Sequence, residues 1–322
     1  MNAIANFSGY QITEPLYAGT RTLVYRGIRT SDQHPVVIKL LRNEYPNFTE
    51  LLQFRNQYTI AKNLNFPSII QPLTLEAYRN SYALVMEDFG GVSLSTYVKA
   101  AIDESQIYQS LPLAEFLNIA IQLTDILHYL YQNRVIHKDI KPANILINPD
   151  TKQVKLIDFS ISSLLPRETQ EIQNPNILEG TLAYLSPEQT GRMNRGIDYR
   201  SDFYSLGVTF YELLTGELPF VSEDAMELVH CHLAKQPIPI HEINPEIPLA
   251  LSEIVSKLMA KNAENRYQTA LGIKHDLGIC LEQLQTTGKL ATFKLGERDI
   301  SDRFIIPEKF YGRETEVNQL LA

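Results

Sequence analysis

Apolar and polar residues alternate through much of the first 88 positions, whereas beyond them apolar residues recur every three or four positions. The pattern predicts a strand-rich first segment followed by a helix-rich one. Strands are expected over residues 17–29, 36–41 and 82–87, which are rich in Val, Leu, Ile and Tyr and separated by turn residues. One helix interrupts them. Asn47 followed by Glu50 has the form of a capping box, and Leu51, Phe54, Tyr58 and Ala61 fall on one face, with an end expected near Asn65 and Pro67. Over residues 113–132, Phe116, Ala120, Leu123, Leu127 and Leu130 keep helical spacing, and residues 202–215 and 249–259 also read as helices. Between strands and helices lies a hairpin signal: residues 144–147, the turn Asn148, Pro149, Asp150, Thr151, and residues 154–157. Past Leu284 the periodicity fades through Thr286, Thr287 and Gly288 into a mixed-charge stretch ending at Pro307, a linker pattern.

Composition narrows the class. At 322 residues, 44% hydrophobic and 20% charged, the chain has ordinary globular values, which argues against disorder, collagen-like repeats and coiled coil. Lys plus Arg number 29 against 37 Asp plus Glu, a net charge of -8, so no basic field favours nucleic acid. Cys231 and Cys280 can form neither a disulfide framework nor a four-ligand zinc site, which suits a reducing compartment. The first residues lack the basic and apolar regions of a signal peptide, and no 18-residue apolar run occurs. A cytoplasmic protein without a membrane span is therefore expected.

The hairpin is flanked by HKDIKPAN at 137–144 and DFS at 158–160. These resemble the catalytic loop and metal-binding motif of eukaryotic-type protein kinases. VVIK ending at Lys39, GTLAYLSPE at 180–188, SDFYSLG around Asp202 and NRY at 265–267 follow in the family's order, so the resemblance covers roughly residues 7–284. It implies an α+β, bilobal protein-kinase fold: a small antiparallel β N-lobe with one helix over about residues 1–86, a hinge at 87–90, and a larger, mainly α C-lobe over 91–284.

The implied activity is ATP- and Mg2+-dependent phosphoryl transfer to serine or threonine of a protein in signal transduction. Such transfer needs positioning and charge neutralisation more than covalent help from the enzyme. Asn144 and Asp158 offer hard oxygen ligands suited to Mg2+. By resemblance Asp139 accepts the substrate hydroxyl proton, Lys141 reaches the transferred phosphate, and Lys39 grips the nucleotide phosphates. Gly19 belongs to the phosphate loop, and backbone groups of Glu87 and Phe89, beyond the gatekeeper Met86, bind adenine. Lys141 with Thr181 marks the serine/threonine branch. His137 reads as a scaffold residue, Asp202 as a brace of the loop, and Glu188 with Arg266 as a buried ion pair.

Five positions depart from the family pattern. Tyr17 and Thr22 replace two of the three loop glycines and leave only Gly19. Gln57 replaces the helix carboxylate that pairs with Lys39, and Glu50 could substitute only if the helix slid by about 10 Å, seven residues at 1.5 Å each. Ser160 ends DFS where glycine is usual, and Lys138 replaces the arginine that reads a phosphorylated loop. Acceptors for such phosphorylation are sought at Ser162, Ser163 and Thr169.

The last residues, IPEKFYGRETEVNQLLA, resemble the entry of an AAA-like signalling ATPase. The implied order is a linker over 285–309 and the start of an ATPase domain over 310–322, as in large cyanobacterial-type hybrid signalling kinases. Partners would then be a protein substrate, ATP, and downstream ATPase and sensor domains of the same polypeptide. Two other readings stand beside the kinase: a pseudokinase or weakly active regulatory module, supported by Tyr17, Thr22 and Gln57, and an aminoglycoside-type small-molecule phosphotransferase.

Overall fold

The computed structural model describes residues 7–101, 111–164, 182–193 and 195–301. Five antiparallel strands build the N-lobe: β1 (Tyr10–Ala18), β2 (Thr22–Arg29), β3 (His34–Leu41), β4 (Pro72–Tyr78) and β5 (Ser81–Glu87), in the order β1-β2-β3-β5-β4. The single strand expected over 17–29 is in fact the end of β1, a tight turn and β2. The Gly19 N–H donates to the Thr22 carbonyl at 2.9 Å and closes that turn, so the run of strand-forming residues reverses direction. Helix α1 (Phe48–Lys62) lies between β3 and β4 and begins at the expected capping box, with Asn47 and Glu50 each accepting the other's backbone N–H.

Period-two alternation decides what β3 presents to each side. Val36, Ile38 and Leu40 join Ala83 and Val85 in a cluster on one face of the sheet. Val37 and Leu41 pack on the other with Phe54 of α1, Leu84 and Met86. Lys39, between Ile38 and Leu40, therefore faces α1.

The C-lobe contains β6 (Val92–Ser93), α2 (Leu94–Ala101), α3 (Leu113–Gln132), β7 (Ile145–Ile147), β8 (Val154–Leu156), α4 (Arg200–Thr215), α5 (Ala225–Ala234), α6 (Ile240–Ile243), α7 (Leu249–Leu258) and α8 (Ala270–Thr287). Strands β6, β7 and β8 form a small sheet. The Asn148 side chain accepts from the N–H groups of Asp150 and Thr151 and so sets the turn between β7 and β8. Helix α4 is buried at every position except Glu212, as befits a central helix, and Phe210 meets Phe116 of α3 edge to face at 5.1 Å. Emptying either ring site would cost about 3–5 kcal/mol. No described helix is long and apolar enough to cross a membrane.

Helix α8 ends at Gly288, whose φ of 68° a glycine adopts freely. The segment that follows, expected as linker, lies back along α8. The Gln283 side chain accepts from Ala291 N–H, Asp276 from Gly296 N–H, and Asp299 from the N–H groups of Gln268 and Thr269 at the start of α8. Leu290, Phe293 and Leu295 pack against the C-lobe core on the way.

Candidate active site

Lys39 donates to Gln57 Oε1 at 2.8 Å and to Asp158 Oδ2 at 3.0 Å, joining β3, α1 and the DFS motif in one contact set. The expected lysine–glutamine pairing is present, and Glu50 is engaged in the cap instead. Desolvation pushes the Asp158 carboxyl up, but the charge and hydrogen bond of Lys39, with help from the Ser160 N–H, outweigh it and hold the group at about 2. Asp158 is thus a fixed anion at neutral pH. Its backbone sits at φ 66°, which is strained for a non-glycine residue and is held by the surrounding contacts.

Asp139 is gripped on both oxygens, by Lys141 Nζ at 2.9 Å and by Asn144 Nδ2 at 2.7 Å. Burial raises its pKa, and the Lys141 charge opposes that rise. A carboxylate made more basic in this way is a better proton acceptor. Because the Asn144 amide nitrogen also donates to the Asp139 carbonyl, its oxygen is the atom left for a cation. The Ile157 N–H donates to the Asn144 carbonyl, which keeps Asn144 and Asp158 on adjoining backbone. One amide oxygen and one fixed carboxylate suit Mg2+, which takes few protein ligands and the rest from phosphate and water. Among the described residues no cluster of three His, Cys, Asp or Glu offers a more complete protein cage.

The loop itself is braced from beneath. Asp202 accepts from the backbone N–H groups of His137 at 2.8 Å and Lys138 at 2.7 Å, the latter at φ 68°. Burial pushes the Asp202 carboxyl up to about 7 against those two bonds. Gln189 donates to the Lys138 carbonyl from the far side. His137 is fully buried, with Nε2 at 3.0 Å from the Ile157 carbonyl and Nδ1 accepting from Asp139 N–H. That pattern requires the neutral ring with its proton on Nε2, and burial lowers its pKa to about 4. It is a scaffold residue.

Glu188 and Arg266 form the buried pair, with two bonds at 2.7 and 2.9 Å, and Ser201 adds a third to the carboxylate. Desolvation raises the Glu188 pKa, but Arg266 more than reverses it. The guanidinium lies 5.0 Å over the ring of Tyr204, which is fully buried.

At the nucleotide end, the Gly19 carbonyl accepts from Arg42, and a Cβ at Gly19 would overlap the Tyr17 phenol. The Tyr17 ring lies across the one retained glycine, and a side chain there would push this exposed phenol aside. Glu87 ends β5, and Phe89 lies between it and β6 of the C-lobe. Lys155 of β8 pairs with the Glu87 carboxylate at 2.7 Å and sits 5.1 Å over the Phe89 ring, while Arg26 of β2 holds Asp88 at 2.6 Å. Neither brace carried a sequence signal, because Lys155 and Arg26 read as solvated strand positions.

Two expectations fail. Ser162 is buried and donates its hydroxyl to the His137 carbonyl, and Ser163 is bridged to Ile136 with its own hydroxyl buried. Neither is an accessible phosphorylation site, because both are held against the catalytic loop. Thr169, Gly180, Thr181 and residues 310–322 lie outside the described residues.

A five-stranded lobe carrying a lysine, a helical lobe carrying an Asp–Lys–Asn loop, and a carboxylate between them define a bilobal phosphotransferase of the protein-kinase class. Residues 10–277 match the protein kinase domain family, and the chain belongs to it. It is similar to the serine/threonine-protein kinase PrkC of Bacillus subtilis, 34% identical over 83% of this chain and 40% of that protein. It is also similar to the serine/threonine-protein kinase PknB of Mycobacterium leprae, 36% identical over 75% of this chain and 38% of that protein. The hybrid signal transduction histidine kinase G of Dictyostelium discoideum is 33% identical over 67% of this chain and 9% of its own length. The chain therefore spans well under half of each of these relatives. It is a protein kinase domain, and protein kinases use ATP.

Proposed function

We propose that this chain transfers the terminal phosphoryl group of ATP to serine or threonine hydroxyls of a protein. The observation that carries the reading is the joint geometry of the site: Lys39 bonded to Asp158, beside Asp139 held by Lys141 and Asn144. Lys39 orients the phosphates, and backbone groups of Glu87 and Phe89 receive adenine. The acceptor oxygen bonds to phosphorus as the bond from phosphorus to the bridging oxygen of ADP breaks, and the hydroxyl proton passes to Asp139 Oδ. Lys141, already beside Asp139, neutralises charge on the transferred group. Asn144 and Asp158 would hold Mg2+, which supplies charge neutralisation at the phosphates when bound. A radiolabelled ATP assay on casein and on the chain itself, beside Asp139→Asn, tests the proposal. Incorporation that persists unchanged in Asp139→Asn would refute the assigned role.

Gln57 and the Tyr17 ring over Gly19 favour a second reading, a weakly active regulatory module. The same assay separates the two by rate.

We further propose the domain order of residues 1–284 as kinase, 285–309 as linker and 310–322 as the start of an AAA-like ATPase in a cytoplasmic, cyanobacterial-type hybrid signalling protein. The YGRE sequence at 311–314 supports it, as does the similarity to a much longer hybrid histidine kinase. ATPase and sensor domains on the same polypeptide would then be its partners.

A further inference from the structure

Helix α1 touches the DFS segment through one more side chain. Asn56 Nδ2 lies 2.9 Å from the Ser162 carbonyl, 3.1 Å from the Ser160 carbonyl and 3.5 Å from the Phe159 carbonyl. Those oxygens belong to a turn closed by the Ser162 N–H on the Phe159 carbonyl at 3.3 Å. The other side of the turn is tied to the catalytic loop, through Ser162 Oγ on the His137 carbonyl and the Ser163 backbone paired with Ile136. The segment that carries Asp158 is thus clamped between the catalytic loop and α1, and Asn56 is the α1 side of the clamp.

The amide suits this place. It offers two N–H donors to converging carbonyls, whereas a carboxylate would set lone pairs against lone pairs. The adjacent Gln57 gives Lys39 an ion–dipole hydrogen bond instead of an ion pair, so the tie between α1 and Lys39 lacks the second charge. Orientation of α1 against the metal-binding segment therefore falls on a second contact.

We propose that Asn56 is a positioning residue: it fixes residues 158–162 against α1 and thereby sets where the Asp158 carboxylate stands relative to Lys39. The part of this inference that concerns turnover rests on the kinase reading above; the positional part does not.

The test compares the full chain with Asn56→Ala, Asn56→Asp and Asn56→Gln in two measurements. Backbone hydrogen exchange is followed over residues 160–163, with α4 amides as the internal control, and turnover is titrated with Mg2+. Exchange at 160–163 should quicken about tenfold in Asn56→Ala, and more in Asn56→Asp, with α4 unchanged, as expected for losing about 1.4 kcal/mol of local hydrogen bonding. Turnover should fall about tenfold with a raised half-saturating Mg2+ concentration and little change in ATP KM. Asn56→Gln, which keeps the donor on a longer arm, should recover part of both. Unchanged exchange at 160–163 in both Ala and Asp variants overturns the proposal, as does an equal rise in α4. Faster exchange with wild-type turnover and Mg2+ dependence overturns it too, leaving a purely structural contact. If the wild type itself transfers no phosphate, the kinase reading fails, and the exchange arm alone decides the clamp.

Discussion

Lys39 Nζ stands 2.8 Å from Gln57 Oε1 and 3.0 Å from Asp158 Oδ2, so one ammonium ties a neutral amide on α1 to an anion on the DFS motif. Helix α1 occupies the inward position without the carboxylate that would make this tie ionic. The arrangement fits a kinase whose competent state is held less tightly, one that a partner could stabilise by binding that state alone.

Gln57→Glu should therefore raise basal turnover, up to about fivefold if it adds on the order of 1 kcal/mol to the tie. Phosphate transfer at saturating ATP is measured for the wild type, the variant and Gln57→Glu with Asp139→Asn. Activity should rise in the single variant and vanish in the double. No rise in the single variant would mean that the neutral bond already holds the helix fully.

Asp158→Ala should abolish transfer while the variant stays folded, with a lower thermal midpoint because buried Lys39 keeps only Gln57. The carboxylate lies in the cleft, partly exposed, and its removal opens no core cavity. Retained turnover in the purified variant would remove Asp158 from the chemistry.

The ring across Gly19 predicts a coupling. Gly19→Ala should raise the ATP KM by forcing the Tyr17 phenol aside, and Tyr17→Ala should relieve most of that increase in the double variant. Thr22→Gly should lower the KM by allowing closer backbone approach to phosphate, and Tyr17→Gly should do so less. Additive effects of Gly19→Ala and Tyr17→Ala on KM would contradict the overlap.

Arg266→Ala should destabilise the domain by about 3–5 kcal/mol, because the buried Glu188 carboxylate is left with Ser201 and a backbone N–H but no charge partner. Denaturant unfolding reads this directly. Replacing both partners, as Glu188→Gln with Arg266→Met, should recover part of the loss.

Buried histidines set an acid limit. Burial lowers both His137 and His232 to about 4 from an ordinary 6.5, so each contributes stability that is full above about 6.5 and is lost as pH falls towards 4. Each contribution reaches about 3 kcal/mol. Unfolding free energies at pH 7, 6, 5 and 4 should fall less with acid in His137→Gln than in the wild type, while Asp202, raised to about 7, opposes the histidine slope in both. An unchanged slope would show that the His137 ring becomes charged in the folded state.

Much of the site was legible because its residues lie close together in the chain. Asp139, Lys141 and Asn144 fall within six positions, and the short hairpin of β7 and β8 brings Asp158 back beside them. The capping box of α1 and the strand that presents Lys39 were equally local. Asn56 and Lys155 were not, since each looks like an ordinary solvated position and gains its role from partners roughly 70 to 100 residues away in sequence.

The sequence by itself determined the residue types for phosphoryl transfer, their order, and the alternation that turns Lys39 toward α1, because those follow from short spacings and the period of a strand. Only the tertiary structure decided that Asn56 meets the carbonyls of residues 159–162, and that Ser162 and Ser163 are buried rather than presented. It also decided that the segment after α8 folds back to Asp299. These depend on which surfaces folding brings within hydrogen-bonding distance, and local pattern does not encode the distance between residues that are far apart along the chain.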